Sequence, residues 1–154
     1  MSSEIAGKPG KTWKSCDASS SEKRERKLCA VASLIPMKFR RQSSTRLRGA
    51  LEIAGFEVKQ AINGIEAMEK VLSEPFDLVI VDVNMPRMDG FTFLRSLRSS
   101  AADVATLPAL MISTESGQQD IAEARIAGAN FYLVKPVAEA ELVRHACVLT
   151  GAAL

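Results

Sequence analysis

Phe76-Asp77-Leu78-Val79-Ile80-Val81-Asp82-Val83-Asn84-Met85-Pro86-Arg87-Met88-Asp89-Gly90 is the stretch that decides the fold. Its first half is a near-continuous apolar run. Such runs belong to strands covered on both faces, in the middle of a parallel sheet. The run stops at a carboxylate, Asp82.

The same strand-then-helix unit repeats on either side. Upstream, Leu47, Ala50, Leu51 and Ala54 recur at helical spacing, and Gly55 is placed as a helix stop. Phe56, Val58 and Gln60 then alternate with Glu57, Lys59 and Ala61 in a short strand. Asn63-Gly64 reads as a turn, followed by a helix carrying Ile65, Met68, Val71 and Leu72. Downstream, residues 91–100 put Phe91, Leu94 and Leu97 on one helical face. Ala109-Leu110-Met111-Ile112 predicts a second buried strand, ending in Ser113 and Thr114. Ile121, Ala124, Arg125 and Ala127 lie on a helix closed by Gly128. Phe131–Val134 predicts a third buried strand, ending in Lys135-Pro136, and residues 138–149 a last helix with Leu142, Ala146 and Leu149. With residues 28–36 as the first strand, bounded by Pro36, the chain holds five strands and five helices. That alternation is the signature of an α/β domain, a parallel sheet between two helical layers with right-handed crossovers.

The composition fits one such domain. The 154 residues are 47% hydrophobic and 25% charged, and eight aromatics leave the core to aliphatic side chains. The net charge of +2 conceals two regimes. Residues 1–48 hold twelve Lys/Arg against four Asp/Glu, and residues 49–154 hold eight against fourteen. Residues 1–27 read as a basic, disordered leader and 28–150 as the domain. No aromatic interleaving accompanies the basic residues, so neither a nucleic-acid nor a membrane partner is expected. Gly10-Lys11-Thr12 lacks the glycine that a P-loop needs five positions earlier. The apolar run 28–37 has the wrong charged flanks for a signal peptide. Cys16, Cys29, Cys147 and His145 have no zinc spacing, and three cysteines make no disulfide framework. His145 reads as a surface histidine and Cys147 as a small buried thiol, in a reduced, cytoplasmic protein.

In open parallel sheets chemistry gathers at the carboxyl ends of the strands. Those ends are Asp82, then Ser113 or Thr114, then Lys135. An Asp closing one strand is ordinarily a turn cap. A carboxylate, a hydroxyl and an ammonium, each directly after its own apolar strand, make a crevice with chemistry in it.

These residues resemble the receiver domain of two-component response regulators, particularly the single-domain, chemotaxis (CheY-like) type. The resemblance runs from about residue 45 to 149. It is carried by Gly55-Phe56-Glu57-Val58, by Ala61–Ala67, by Asp77–Gly90, and by Ala127–Pro136. It implies a flavodoxin-like, doubly wound (βα)5 fold and a phosphoprotein that works in a phosphorelay. Asp82 would accept a phosphoryl group from a histidine kinase or phosphotransfer protein, with Lys135 pairing to it. Ser113 matches the switch hydroxyl better than Thr114, which would narrow access to the acceptor. Tyr132 matches the aromatic that moves with that hydroxyl, and Pro136, after a typically cis bond, would hold Lys135. The Asn84 backbone carbonyl and Asp82 would be ligands of Mg²⁺, and the Asn84 side chain would tune acyl-phosphate hydrolysis. A downstream protein would bind the face formed by residues 118–149. The chemistry is coherent: a carboxylate is the nucleophile, and a group bringing up to about two negative charges needs cations beside it.

One part of the pattern is missing. The family places two or three acids after its first strand, to hold Mg²⁺, and counting back from Gly55 puts them near Lys38-Phe39-Arg40. No Asp or Glu occurs between Glu25 and Glu52. A unit cation 4 Å from another is repelled by about 4 kcal/mol at an effective dielectric of 20, and a divalent ion by more. Weak Mg²⁺ binding is the expectation. Three accounts fit: a pseudo-receiver that interacts without metal-dependent phosphorylation, Arg40 or Arg41 standing in for the metal, or a start (residues 1–44) that is not the native one. An aspartate-nucleophile phosphatase would need a second carboxylate where Asn84 stands, so an enzyme is not expected. With the last helix ending near the terminus and no output domain, signalling by protein contact is expected.

Overall fold

The computed structural model describes residues 26–31 and 41–152, with side chains described from Thr45 onward. In chain order the elements are β1 (Arg26–Val31), α1 (Arg41–Ile53), β2 (Phe56–Gln60), α2 (Gly64–Ser73) and β3 (Leu78–Asp82). There follow α3 (Gly90–Arg98), α4 (Ala102–Ala105), β4 (Ala109–Ser113), α5 (Gln118–Ala127), β5 (Phe131–Val134) and α6 (Glu139–Thr150). All strand pairs are parallel, in the order β2-β1-β3-β4-β5. This is the doubly wound α/β fold expected from the alternating pattern, with the strand order reversing at β1 and β3.

The alternation of side chains along each strand builds the two cores. Val79, Val81, Ala109 and Met111 pack with Ala67 and Val71 of α2, Phe93, Leu94 and Leu97 of α3, and Ala124 and Ala127 of α5. Leu78, Ile80, Leu110, Ile112 and Leu133 face the other way, onto Leu51 of α1 and Leu142, Ala146 and Cys147 of α6. Each fully buried Leu or Phe contributes about 1.5–3 kcal/mol over its exposed state. Every residue of β3 and β4 is buried, as their unbroken apolar runs require.

Four expectations need correction. The first strand starts at Arg26, two residues before the expected 28; it is described as far as Val31, and the expected end at 36 lies outside the described residues. Its register is fixed on both sides: Arg26 pairs with Phe56 of β2, and Val31 with Val81 of β3. Residues 1–25 and 32–40, including Lys38-Phe39-Arg40, lie outside the described residues. Second, β5 is not a buried strand. It pairs with β4 alone, and its edge position leaves Phe131 and Val134 exposed while Leu133 is buried. Third, a short sixth helix, α4, precedes β4, where five helices were expected.

Fourth, Asn63-Gly64 is a helix start rather than a turn. The Asn63 side chain accepts the Glu66 N–H at 2.9 Å, and Glu66 reaches back to the Ile62 N–H at 2.8 Å. Asn-x-x-Glu ahead of an apolar face is the sequence form of this reciprocal cap. His145 Nδ1–H donates to the Glu141 carbonyl at 2.8 Å and its ring packs edge-on against Phe131, and Cys147 is buried, as expected.

Arg98 binds loops from three elements. Its guanidinium donates to the carbonyls of Gly128 (2.7 Å), Ala105 (2.8 Å) and Leu107 (2.7 Å), at the end of α5, the end of α4 and the approach to β4. Arg98→Met keeps much of the packing but orphans these carbonyls. At about 1–3 kcal/mol for each unsatisfied buried group, tempered by partial solvation, it should cost about 2–3 kcal/mol by urea denaturation. A change below about 0.5 kcal/mol, the size of a neutral surface substitution, would contradict this role. Asp89 caps α3, accepting the Thr92 N–H at 2.9 Å and its hydroxyl at 2.7 Å. Burial alone would raise the Asp89 pKa, but these hydrogen bonds outweigh it and lower the value. A depressed folded pKa stabilises above the unfolded pKa, and that contribution disappears as pH falls through the folded value. Asp89→Ala should therefore cost about 1 kcal/mol at neutral pH, and the difference from the native chain should shrink in acid, as read by denaturation at several pH values.

Candidate functional site

The sheet register assembles the site. Asp82, the last residue of β3, lies opposite Ile112 of β4; Ser113, one step on, lies opposite Val134 of β5. Asp82, Ser113 and Lys135 therefore stand in sequence along the carboxyl edge of three adjacent strands. The Lys135 N–H donates to the Ser113 carbonyl at 2.7 Å, extending the β4–β5 pairing to the lysine itself. The Lys135–Pro136 bond is cis.

From this position the Lys135 ammonium forms an ion pair with Asp82 Oδ2. The other carboxylate oxygen, Oδ1, accepts the Asn84 N–H at 3.0 Å. The Asp82 side chain is 11% exposed, so it is sheltered yet reachable. Sequence reasoning assigned a carbonyl role to Asn84; here the backbone N–H of Asn84 touches the carboxylate, and its side chain is exposed.

Ser113 is fully buried, and its hydroxyl accepts the Glu115 N–H at 3.0 Å. The Tyr132 phenol donates to the Glu115 carbonyl at 2.9 Å and also interacts with the Ser113 side chain. Burial of the ring raises the Tyr132 pKa, so the phenol is a donor throughout the physiological range. Thr114 is exposed and lies 3.5 Å from a Glu115 carboxylate oxygen through its hydroxyl. Glu115 thus joins the buried hydroxyl to the half-buried phenol through its two backbone groups. Nothing in the sequence marks a residue that acts through its main chain, and it was not foreseen.

The loop from Val83 to Asp89 carries Asn84 over the site and is held by close backbone approach. The Gly90 N–H donates to the Val83 carbonyl at 3.0 Å, and a Cβ on Gly90 would stand 2.6 Å from the Asp82 carbonyl oxygen. No side chain other than hydrogen fits there. Arg87, at φ 66°, turns the loop.

The donors for a divalent cation are sparse. Among the described residues, no group of three or more His, Cys, Asp or Glu is placed to hold a metal ion. Both Asp82 oxygens are already engaged, and the sequence offers no acid from Arg26 to Leu51. Mg²⁺ requires near-octahedral oxygen ligation, and this donor set does not fit it. The arrangement can hold a nucleophilic carboxylate beside one cation and one N–H donor, next to a hydroxyl linked through Glu115 to the Tyr132 phenol. Among the described residues no helix is long and apolar enough to cross a membrane.

Comparison with known proteins agrees with this geometry. The profile described as the response regulator receiver domain matches residues 41–146. The transcriptional regulatory protein PrrA of Mycobacterium leprae is 39% identical over 97 residues, covering 63% of this chain and 40% of PrrA. The matched stretch is therefore less than half the length of that relative. The chemotaxis protein CheY4 of Vibrio cholerae superimposes with a TM-score of 0.70 at 33% identity, over 81% of this chain and 98% of CheY4. The receiver domain of a sensor histidine kinase from Pseudomonas aeruginosa, at 24% identity and a TM-score of 0.72, shares the fold over 82% of this chain and 98% of its own. That structure has a magnesium ion coordinated in its active-site cleft. With a family profile covering four of the five strands and all three strand-end residues, the chain belongs to the response regulator receiver family.

Proposed function

We propose that this chain is a phospho-acceptor receiver that takes a phosphoryl group on Asp82 from a histidine kinase or phosphotransfer protein and signals by protein contact. The observation that carries the reading is the Asp82–Lys135 ion pair at the carboxyl edge of the sheet, with the Asn84 N–H on the second oxygen. The free lone pairs of the carboxylate attack phosphorus. A P–O bond forms as the P–N bond of a phosphohistidine donor breaks, and the leaving imidazole nitrogen takes a proton from solvent. Lys135 offsets part of the added charge. Ser113 would respond to the phosphoryl oxygens and shift Glu115, and Tyr132 would follow. The face of α5, β5 and α6, which includes Tyr132, would then present a changed surface to a downstream protein. The reading carries no turnover of a small substrate and places the chain in the cytoplasm, beside the kinase domains it would serve.

A second reading has a specific observation in its favour. The absence of any acid between Glu25 and Glu52 favours a pseudo-receiver, an interaction module with this fold and no metal-dependent phosphorylation.

Acetyl phosphate separates the two. On the acceptor reading, the native chain gains one phosphoryl group by intact mass, Asp82→Ala gains none, and Asp82→Asn gains none while keeping its circular dichroism and unfolding midpoint. An inert native chain would establish the pseudo-receiver instead. Loss of fold in Asp82→Asn would mark the carboxylate as structural. Because the donor set does not fit Mg²⁺, uptake is expected to change less than about threefold when EDTA replaces MgCl₂, well under the effect of losing a transition-state contact. NMR titration should show no sub-millimolar Mg²⁺ site near Asp82. A tight site there, or uptake abolished by EDTA, would overturn the metal-poor reading.

A further inference from the structure

Both helices that flank the acceptor loop begin in the same way. Asn63-Gly64 opens α2 and Asp89-Gly90 opens α3, each an N-cap side chain followed by glycine as the first helical residue. Neither glycine has a left-handed φ, so turn geometry does not require it. At Gly90 the reason is backbone proximity, as described above. At Gly64 it is Met88: a Cβ on Gly64 would lie 2.8 Å from Met88 Cγ, 2.9 Å from Cβ and 2.9 Å from Sδ. Real Cβ atoms do not approach this closely, and one of the three is the Met88 Cβ, which cannot move without its main chain. Gly64 is buried, and Met88 is packed against the core cluster that includes Ala61, Ala67 and Val83.

We infer that Gly64 is a positioning residue for the acceptor loop: the hollow left by its missing side chain seats Met88, and that seat fixes the loop whose Asn84 N–H holds Asp82. The chain of contacts is short. Met88 is tied by its N–H to the Pro86 carbonyl at 2.8 Å, and Gly90 is tied to Val83 at 3.0 Å. Between those ties lies Asn84, bonded to Asp82 Oδ1. Bulk added at 64 pushes on Met88, and the loop has few other places to yield, because Gly90 is already jammed against the Asp82 carbonyl. Residue 64 touches neither Asp82 nor any reacting group, so it acts through geometry alone.

This inference rests on the acceptor reading for its rate measurement and on loop geometry for its spectroscopic one. The test compares four chains: native, Gly64→Ala, Met88→Ala and the double variant. Displacements approaching 1 Å at a reacting group cost on the order of 100-fold, so a smaller shift from Gly64→Ala should slow acetyl phosphate uptake by about tenfold. Met88→Ala, which removes the seated side chain without adding bulk, should slow it by about threefold on the same scale. The double variant keeps the Cβ–Cβ approach at 2.9 Å but sheds those to Cγ and Sδ, so if the two residues act through one contact its slowing falls clearly below the product of about thirtyfold. The Asn84 amide resonance should shift in Gly64→Ala and return toward its Met88→Ala position in the double variant. Native uptake in Gly64→Ala with an unmoved Asn84 amide would overturn the inference, as would strictly multiplicative effects. If Gly64→Ala fails to fold, the Met88→Ala resonance and rate decide: no change in either rejects the seat. If the native chain takes up no phosphoryl group, the acceptor reading fails, and the Asn84 amide pattern alone decides whether Gly64 positions the loop.

Discussion

The ion pair between Asp82 and Lys135 is the interaction around which the rest of the molecule is arranged. It joins residues 53 positions apart in sequence, on strands that do not neighbour each other, across the end of β4. It can form only if β3, β4 and β5 are parallel and in one register, since a slip of a single residue would turn each strand's alternate side chains to the opposite layer. The pairing of Asp82 with Ile112 and of Ser113 with Val134 satisfies that condition. The buried aliphatic layers above and below the sheet are what enforce it. A sheltered carboxylate left alone would be costly, and the lysine, at 31% side-chain exposure, meets it from the wetter side. Fold and site are therefore specified by the same constraint.

That dependence explains what could be read from the residues. Leu78–Val81 and Ala109–Ile112 are unbroken apolar runs because both faces of β3 and β4 are covered, and continuous burial is visible in composition. The polar residues that end these runs were visible for the same reason. Phe131–Val134 has an equally apolar composition, yet its position at the edge, which no local pattern encodes, leaves two of its four residues exposed. The first strand was displaced by two residues at its start for a related reason: Arg26 and Lys27 look like leader, and only pairing with Phe56 and Glu57 makes them strand. The cap at Asn63 is legible in Asn-x-x-Glu, but Asn-Gly is the commoner mark of a turn, and the two signals overlap at the same residues.

Other features of the site were never in the side-chain pattern at all. Glu115 links Ser113 to Tyr132 by its N–H and its carbonyl, so any residue but proline could occupy the position. Gly64 and Gly90 matter for the atoms they lack. A glycine in a loop suggests turn geometry, whereas these two sit in the first helical position with ordinary backbone angles. Only the structure distinguishes a glycine chosen for its φ from one chosen for the space beside it.

The missing acids bear on the chemistry of Asp82 through charge as well as through ligation. Two carboxylates and one divalent cation sum to zero, so a receiver lacking both has the same formal charge at its acceptor as one possessing both. What it loses is a rigid oxygen cage, not net electrostatic support. Residues 26–48 carry seven Lys/Arg and no acid, and of these Arg46 and Arg48 are paired with Glu139 and Glu52. A divalent cation supplies its stabilisation at a defined point, whereas lysine and arginine supply it through directed hydrogen bonds on flexible stems. With Lys135 as the cation bonded to Asp82, the precision that a metal would otherwise impose must come from the loop that carries Asn84. For that reason the close packing of Met88 on Gly64 and of Gly90 on Asp82 is a requirement of this site rather than an incidental tightness of the fold.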